Sequence, residues 1–282
     1  MRVATDDEIS TVLAHPRFIA ARNLYISGYL KIYSGDPTLN KLLAESARHV
    51  IITFIICLSA ASRDNRPDTW LTLGKLQDAV SDNQVGSPGL VEAIVARMLD
   101  RGLLESTAPA SDRRKRILVP TAALLKHDRD IIVAQAVPTA MICPSPSVDL
   151  AVACKPSFQR AFRAASVEAF GAAMTMLMRH PKIMLFYGRD SGQMILFSLL
   201  ANAIGSGGNL ATVPYREMTD RFGISRTHAR DVIEAAEAEG LVRTLEPGGA
   251  AIEILPALWD ATHRFMADAM LLFAFCAEAT DC

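Results

Sequence analysis

The feature that most constrains the fold is a stretch that occurs twice in the chain. Leu73–Glu105 and Val213–Arg243 each read as a short helix, a turn and a longer helix, ending in Arg-Gly-Leu-Leu and Glu-Gly-Leu-Val. With Gly102 set on Gly240, the copies are 138 residues apart and the apolar positions of the longer helices coincide. A repeat of about half the chain predicts two copies of one structural unit.

Similar elements are predicted on both sides of each copy. Apolar periodicity indicates helices at residues 17–33, 39–61 and 121–136 in the first half, and at 157–179, 183–204 and 257–279 in the second. Turn signals predict two β-hairpins, made by Leu103–Thr107 with Ile117–Pro120 and by Leu241–Leu245 with Ala251–Leu255. The proline-rich segment 138–156 is the predicted linker, so the expected domains are residues 1–137 and 157–282 of a mainly α protein.

Composition excludes several classes of protein. The 282 residues are 50% hydrophobic, which excludes disorder, and 29 Lys and Arg against 30 Asp and Glu give no overall charge that would attract a nucleic acid. Any basic surface must therefore be local. Five cysteines without C-x-x-C spacing predict neither a disulfide framework nor a zinc site, and a cytoplasmic protein is expected. The acidic amino terminus is unlike an export signal, and Val50–Ala61 is too short to span a membrane.

A helix pair followed by a two-stranded ribbon is the plan of a winged helix, whose second helix enters the major groove of DNA. In the second copy Ser225 is the predicted N-cap of that helix. Arg226, Thr227, His228 and Arg230 follow it in the first turns, where side chains reach base edges. In the first copy the matching helix begins Ser-Pro-Gly-Leu and offers almost no group that reads a base.

The predicted wings have the opposite distribution of charge. Arg113, Arg114, Lys115 and Arg116 lie at the tip of the first wing and suit binding to DNA phosphates. The tip of the second wing, Glu-Pro-Gly-Gly at 246–249, carries no cation. The two units therefore divide the predicted DNA contacts between them, either as one composite DNA-binding surface or as the result of partial decay of both sites, and the sequence leaves both interpretations open.

Each half resembles the winged-helix regulators of the multiple-antibiotic-resistance (MarR) family. The resemblance is carried by Asp100–Leu104, by the wing Ser111–Arg116, and by Gly223–Arg226 with Glu239–Val242. In that family the wing carries an Asp-x-Arg pattern whose arginine meets DNA. Asp112 and Arg114 match this pattern, and the second wing lacks it.

The resemblance implies a transcriptional regulator that binds double-stranded DNA. Members of the family are dimers joined by their terminal helices, so a chain with two copies would form an intramolecular pseudo-dimer. Its two unlike units would bind half-sites about one helical turn apart, and the operator would be asymmetric. A small apolar effector is also implied, and it stays open whether two chains associate further.

Catalysis is not expected, because the chain has no phosphate loop after a strand, no H-E-x-x-H and no G-x-S-x-G. No cofactor and no metal are predicted either. The rival interpretation is a tandem winged-helix scaffold that binds protein and has lost DNA binding. Its support is the second half, which has 12 Lys and Arg against 15 Asp and Glu, whereas residues 1–140 have 17 against 15.

Overall fold

A computed structural model describes residues 1–35, 40, 46–108 and 114–280 of the chain. In these residues the protein is mainly α-helical with two small antiparallel sheets, so the predicted mainly α class is confirmed. None of the described helices combines the length and the apolar character needed to cross a membrane.

In the described residues, the first half has helices α1 to α6 and the hairpin of β1 and β2. In chain order they are α1 (Asp6–Leu13), α2 (Phe18–Ile32), α3 (Ser46–Ala61), α4 (Leu73–Asp82), α5 (Pro88–Asp100), β1 (Leu104–Thr107), β2 (Ile117–Pro120) and α6 (Ala122–Ile142). Strands β1 and β2 are antiparallel, with Leu104 opposite Pro120. We call α4, α5, β1 and β2 the first unit.

The second half follows the same order with more interruptions. Its elements are α7 (Pro146–Ala153), α8 (Pro156–Ser166), α9 (Phe170–Met178), α10 (Pro181–Tyr187), α11 (Gly192–Gly205), β3 (Leu210–Ala211), α12 (Tyr215–Phe222), α13 (Arg226–Ala238), β4 (Val242–Glu246), β5 (Ala251–Ile254) and α14 (Pro256–Glu278). Strand β5 lies between β3 and β4 in an antiparallel sheet. We call α12, α13, β3, β4 and β5 the second unit.

The repeat seen in the sequence recurs in the hydrogen bonds that begin the longer helices. The hydroxyl oxygen of Ser87 accepts a hydrogen bond from the backbone N–H of Leu90 (3.3 Å) and caps α5. The hydroxyl oxygen of Ser225 accepts one from the N–H of His228 (3.0 Å) and caps α13 in the same way. The two caps are 138 residues apart, as the alignment of the copies predicts.

The same correspondence holds where the longer helices end. Gly102 and Gly240 both have φ of 65°, which an L side chain rarely adopts. The N–H that follows each glycine turns back to a carbonyl of the last turn, Leu103 to Met98 and Leu241 to Ala236, both at 2.9 Å. The chain therefore leaves both helices in the same direction to form its hairpins.

Most of the predicted linker, residues 138–156, is helical. Helix α6 continues through the buried Pro138 to Ile142, and α7 covers Pro146–Ala153. A proline inside a helix removes a backbone donor and costs about 3 kcal/mol. Here α6 packs against α2, α7 and α14, Pro138 is buried, and that packing offsets the cost.

Two other predicted helices are interrupted. The helix expected at 157–179 is broken by a turn at Val167–Ala169, and the one expected at 183–204 is broken between Tyr187 and Gly192. At the second break a Cβ on Gly192 would lie 2.0 Å from the carbonyl oxygen of Phe186, so only glycine allows the close turn. Part of the predicted start of the 39–61 helix lies outside the described residues, and Ser46–Ala61 is helical as predicted.

Helices of each half pack on helices of the other half. Helix α2 of the first half packs on α11 of the second, and α8 of the second half packs on α3 of the first. The closing helices α6 and α14 also pack against each other. Contacts that are made in both directions between equivalent elements are what a two-fold axis produces.

Aromatic rings fill the contact between α2 and α11. Tyr25 and Tyr29 of α2 meet Phe197 of α11 edge to face, with ring centroids 6.1 and 5.7 Å apart. Phe197 is fully buried and belongs to one apolar core that takes residues from both halves. The halves are therefore not independent cores joined by a tether.

A buried polar cluster also joins the halves. Arg163 of α8 forms an ion pair with Asp128 of α6 (Nη2 to Oδ1, 2.7 Å), and both side chains are nearly inaccessible. Gln159, one turn before Arg163, donates its amide to Asp128 Oδ2 and to the Leu125 carbonyl, both at 2.8 Å. These partners allow only one relative position of α6 and α8 without leaving a buried polar group unpaired.

We predict that Phe197→Ala lowers the free energy of unfolding by about 3–5 kcal/mol, because it empties a fully buried site between the halves. Leu210→Ala, which changes a half-exposed side chain, is the control and should cost less than about 0.5 kcal/mol. Urea unfolding followed by circular dichroism should show one transition in both variants. Two separate transitions would contradict a core shared by the halves.

We predict that Arg163→Met costs about 3–5 kcal/mol of stability, because it leaves the buried Asp128 carboxylate without its ion-pair partner. Arg160→Met is the matched control on the same helix, because Arg160 is exposed. Its cost should stay below about 1 kcal/mol. Equal losses in the two variants would show that the buried pair does not hold the joint.

Candidate nucleic-acid interface

The predicted cations of the first wing lie at the end of the β1–β2 hairpin. Arg114, Lys115 and Arg116 directly precede β2 and are exposed. Arg113, with Ser111 and Asp112 of the Asp-x-Arg pattern, lies outside the described residues. The described part of this hairpin therefore carries three cations into solvent.

These cations line a shallow depression beside the start of α4. Its volume is about 490 Å³, and Lys75 and Trp70 form its opposite wall. The ammonium of Lys115 lies 5.7 Å from the centroid of the Trp70 ring, within the range of a cation–π contact. Lys75 donates a hydrogen bond to the Asp68 carbonyl (2.8 Å), which orients its side chain along the rim.

Charge in the depression remains positive, because the one acidic residue in its lining already has a partner. Asp68 pairs with Arg66 at 2.8 Å, and the hydrogen bond from Arg66 lowers the pKa of Asp68. Sequence reasoning missed Lys75, which stands 40 residues before Lys115. Lys75 is the third residue of α4, and the hairpin approaches the start of that helix. This position is the feature of the sequence that could have indicated Lys75.

Helix α5 of the first unit presents a face without base-reading groups in its first two turns. Pro88, Gly89 and Ala93 are exposed there, and Glu92 is the charged residue among them. Gln77 of α4 lies beside this end and donates its side-chain amide to the Pro88 carbonyl at 3.3 Å. The arrangement agrees with the sequence-based expectation for this helix.

Helix α13 of the second unit presents two of its predicted residues freely to solvent. Arg226 and Thr227 are exposed in the first turn, and among the described residues their side chains have no hydrogen-bond or ion-pair partner. Ser225 is also exposed, and its hydroxyl oxygen accepts the capping hydrogen bond described above. Arg226 and Thr227 are therefore placed where a base-reading helix needs its donors.

The other two predicted residues are engaged with the protein. His228 is half-buried, and its Nε2 lies 2.8 Å from the Asp190 carbonyl, so the imidazole donates to the turn between α10 and α11. Arg230 lies 3.6 Å from Asp231 and 3.5 Å from Glu234, which reduces the positive charge it presents. His228 thus holds α13 in place, a role that the sequence did not indicate.

The second hairpin folds back on its own unit. The tip residues Pro247–Gly249 form a tight turn, and the Gly249 carbonyl accepts a hydrogen bond from the N–H of Val213 (2.9 Å). Arg243 on β4 lies 3.2 Å from Glu253 on β5. The second wing therefore presents no cation at its tip.

Hydrogen bonds to the first half hold α12 of the second unit. The guanidinium of Arg221 on α12 donates to the Leu30 carbonyl at the end of α2 (2.6 Å). The buried Asn40 donates its amide to the carbonyls of Tyr33 (2.9 Å) and Arg221 (3.0 Å). The orientation of the second unit is thus set partly by residues of the other half.

The described residues offer no alternative chemical centre of the metal or thiolate kind. Among them, no group of three His, Cys, Asp or Glu side chains is arranged to hold a metal ion. Burial raises the pKa of Cys57 to about 12 and that of Cys276 to about 11, so both stay protonated at neutral pH.

Comparison of the chain with protein-family models, with curated proteins and with solved structures gives no match.

We predict that Gly249→Ala destabilises the protein by more than Gly248→Ala does. Both glycines have positive φ, which costs alanine about 1–2 kcal/mol. Only at Gly249 would the new Cβ also meet backbone, at 2.2 Å from the Val213 oxygen, whereas Gly248 faces open space. Thermal unfolding of the two variants measures the difference. Equal losses would contradict a hairpin that is packed on the start of α12.

Proposed function

We propose that the protein is a sequence-specific DNA-binding regulator of transcription, built as two MarR-like winged helices in tandem that form a pseudo-dimer. The observation that carries this proposal is that equivalent helices of the two halves pack on each other in both directions. Each of these halves contains a capped helix pair and a hairpin. A dimeric regulator needs two reading units on one rigid frame, and this chain supplies both units.

The chemistry of the two units supports duplex DNA as the partner. Arg226 and Thr227 stand at the start of α13, where side chains of a recognition helix meet base edges. Lys115 and Arg116 are exposed on the first hairpin, where long cationic side chains bind phosphates. Acidic residues near these cations are paired with other arginines: Asp68 with Arg66, and Asp231 with Arg230.

A cavity in the joint supports the small effector that the resemblance implies. It measures about 130 Å³ and lies between α3, α6 and α8. Ile52, Ile56 and Ile131 supply apolar walls, and the polar part of the lining includes Gln135 and the Asp128–Arg163 ion pair. A ligand there would contact helices of both halves, and we propose that it changes the angle between the units.

The scaffold alternative keeps one specific observation in its favour. The second unit carries acids beside its cations: Arg230 lies close to Asp231 and Glu234, and the second hairpin has a neutral tip. Such a surface also suits a protein partner. Binding to DNA that depends on salt separates the two functions, because phosphate binding releases counterions and a neutral protein interface does not.

We predict that the chain binds a fluorescent 30-base-pair duplex, and that Lys115→Gln with Arg116→Gln weakens this binding. The slope of log affinity against log salt should fall by roughly 0.9 for each phosphate that the variant no longer neutralises. Fluorescence anisotropy at several salt concentrations measures both quantities. The matched control, Lys31→Gln with Lys182→Gln, removes the same charge from exposed positions on α2 and α10. Its slope should not change. An identical weakening in both variants, or no binding at all, would contradict the proposal.

A further inference from the structure

We infer that the DNA target is a non-palindromic duplex in which only one half-site is specified by its bases. The second unit reads that half-site through the start of α13. The first unit holds the other half-site by its phosphates, through the β1–β2 hairpin, without reading bases in the major groove. This inference rests on the proposed function and adds the class of duplex that the protein recognises.

The first unit lacks the means to read bases in the major groove. The exposed residues at the start of α5 are the N-cap Ser87, Pro88, Gly89, Glu92 and Ala93. Pro88, Gly89 and Ala93 carry no hydrogen-bonding side chain, and the Glu92 carboxylate can accept a hydrogen bond from cytosine but is repelled by the phosphates. The commonest specific contacts in the major groove come from Arg, Asn and Gln, and none of these residues stands in the first two turns of α5.

The same unit has what phosphate binding needs. Lys75, Lys115 and Arg116 line one depression, and the Lys115 ammonium makes a cation–π contact with the Trp70 ring. Cations of this kind hold a duplex in place and carry no sequence information themselves. The first unit is therefore suited to recognising the shape and charge of a duplex, and not its base sequence.

The second unit has exposed hydrogen-bonding side chains at the start of its longer helix and lacks a cationic hairpin tip. The Arg226 guanidinium and the Thr227 hydroxyl are exposed at the start of α13, and the second hairpin offers no cation at its tip. A helix that reads bases must also be fixed in position, because a shift of about 1 Å is enough to lose the fit. Hydrogen bonds to other elements fix this unit: from His228 to the Asp190 carbonyl, from Arg221 to the Leu30 carbonyl, and from Asn40 to the Arg221 carbonyl.

The asymmetry is built into one covalent frame. In a homodimer the two units are identical, so each half-site is read in the same way and the site is palindromic. Here the units differ in the residues that face DNA while the joint between them is reciprocal. The two half-sites should therefore lie about one helical turn apart, roughly 10 base pairs, and obey different rules.

The test is selection of bound duplexes from a pool with 40 randomised base pairs, using the full chain, followed by base-by-base substitution and hydroxyl-radical footprinting of the selected site. We expect one block of about four or five specified base pairs. Substitutions in that block should weaken binding by roughly 5- to 150-fold each. About 10 base pairs away the footprint should show protected sugars where substitutions change affinity less than about twofold.

Two variants assign the halves of the site. Arg226→Ala with Thr227→Ala should relax the preference within the specified block and keep the distant protection. Lys115→Gln with Arg116→Gln should remove the distant protection and keep the base preference. Far-ultraviolet circular dichroism confirms that both variants fold. A site in which both half-sites are specified equally, or a variant effect at the wrong half-site, would overturn this inference while leaving DNA binding intact. Failure to select any duplex would instead reject the proposed function.

Discussion

The structure depends on helices of each half that pack on helices of the other half. Helix α2 packs on α6 of its own half and also on α11 of the other half, and α8 makes the corresponding contact between halves with α3. The contacts are mostly aromatic and aliphatic, with Phe197 against Tyr25 and Tyr29 at the centre of one of them. Neither half can bury these surfaces alone, so hydrophobic burial makes the joint a condition of folding and not a later docking step. The buried pair of Asp128 and Arg163 then selects one register for that joint.

Because buried residues make this joint, many exposed residues of the two units can differ without disturbing it. The residues that repeat between the units are the caps, the terminal glycines and the buried stripe of the longer helices. The residues that differ are exposed: small ones at the start of α5, and Arg226 with Thr227 at the start of α13. Because both copies belong to one polypeptide, a change in one unit is not copied into the other. The exposed surfaces of the two units can therefore differ while the joint between them stays the same.

The sequence could predict what local chemistry decides. The helix pairs and hairpins follow from apolar periodicity, from the N-cap serines and from Gly102 and Gly240, and all of them stand in the structure. It could not predict that α6 continues through Pro138, because only burial against other helices offsets the missing hydrogen bond. The same limit applies to the site. The exposure of Lys115 and Arg226 follows from their positions, whereas the roles of Lys75, His228 and Asn40 depend on neighbours that are distant in the chain.

We propose that a single polypeptide carries both DNA-binding units on one joint. The stoichiometry of the complex with DNA tests this most directly. Native mass spectrometry of the chain with a selected duplex, at protein concentrations near and far above the dissociation constant, counts the chains on each duplex. The account predicts one chain per duplex that protects two successive turns of DNA. A complex that forms only with two chains, each contacting one half-site, would contradict it.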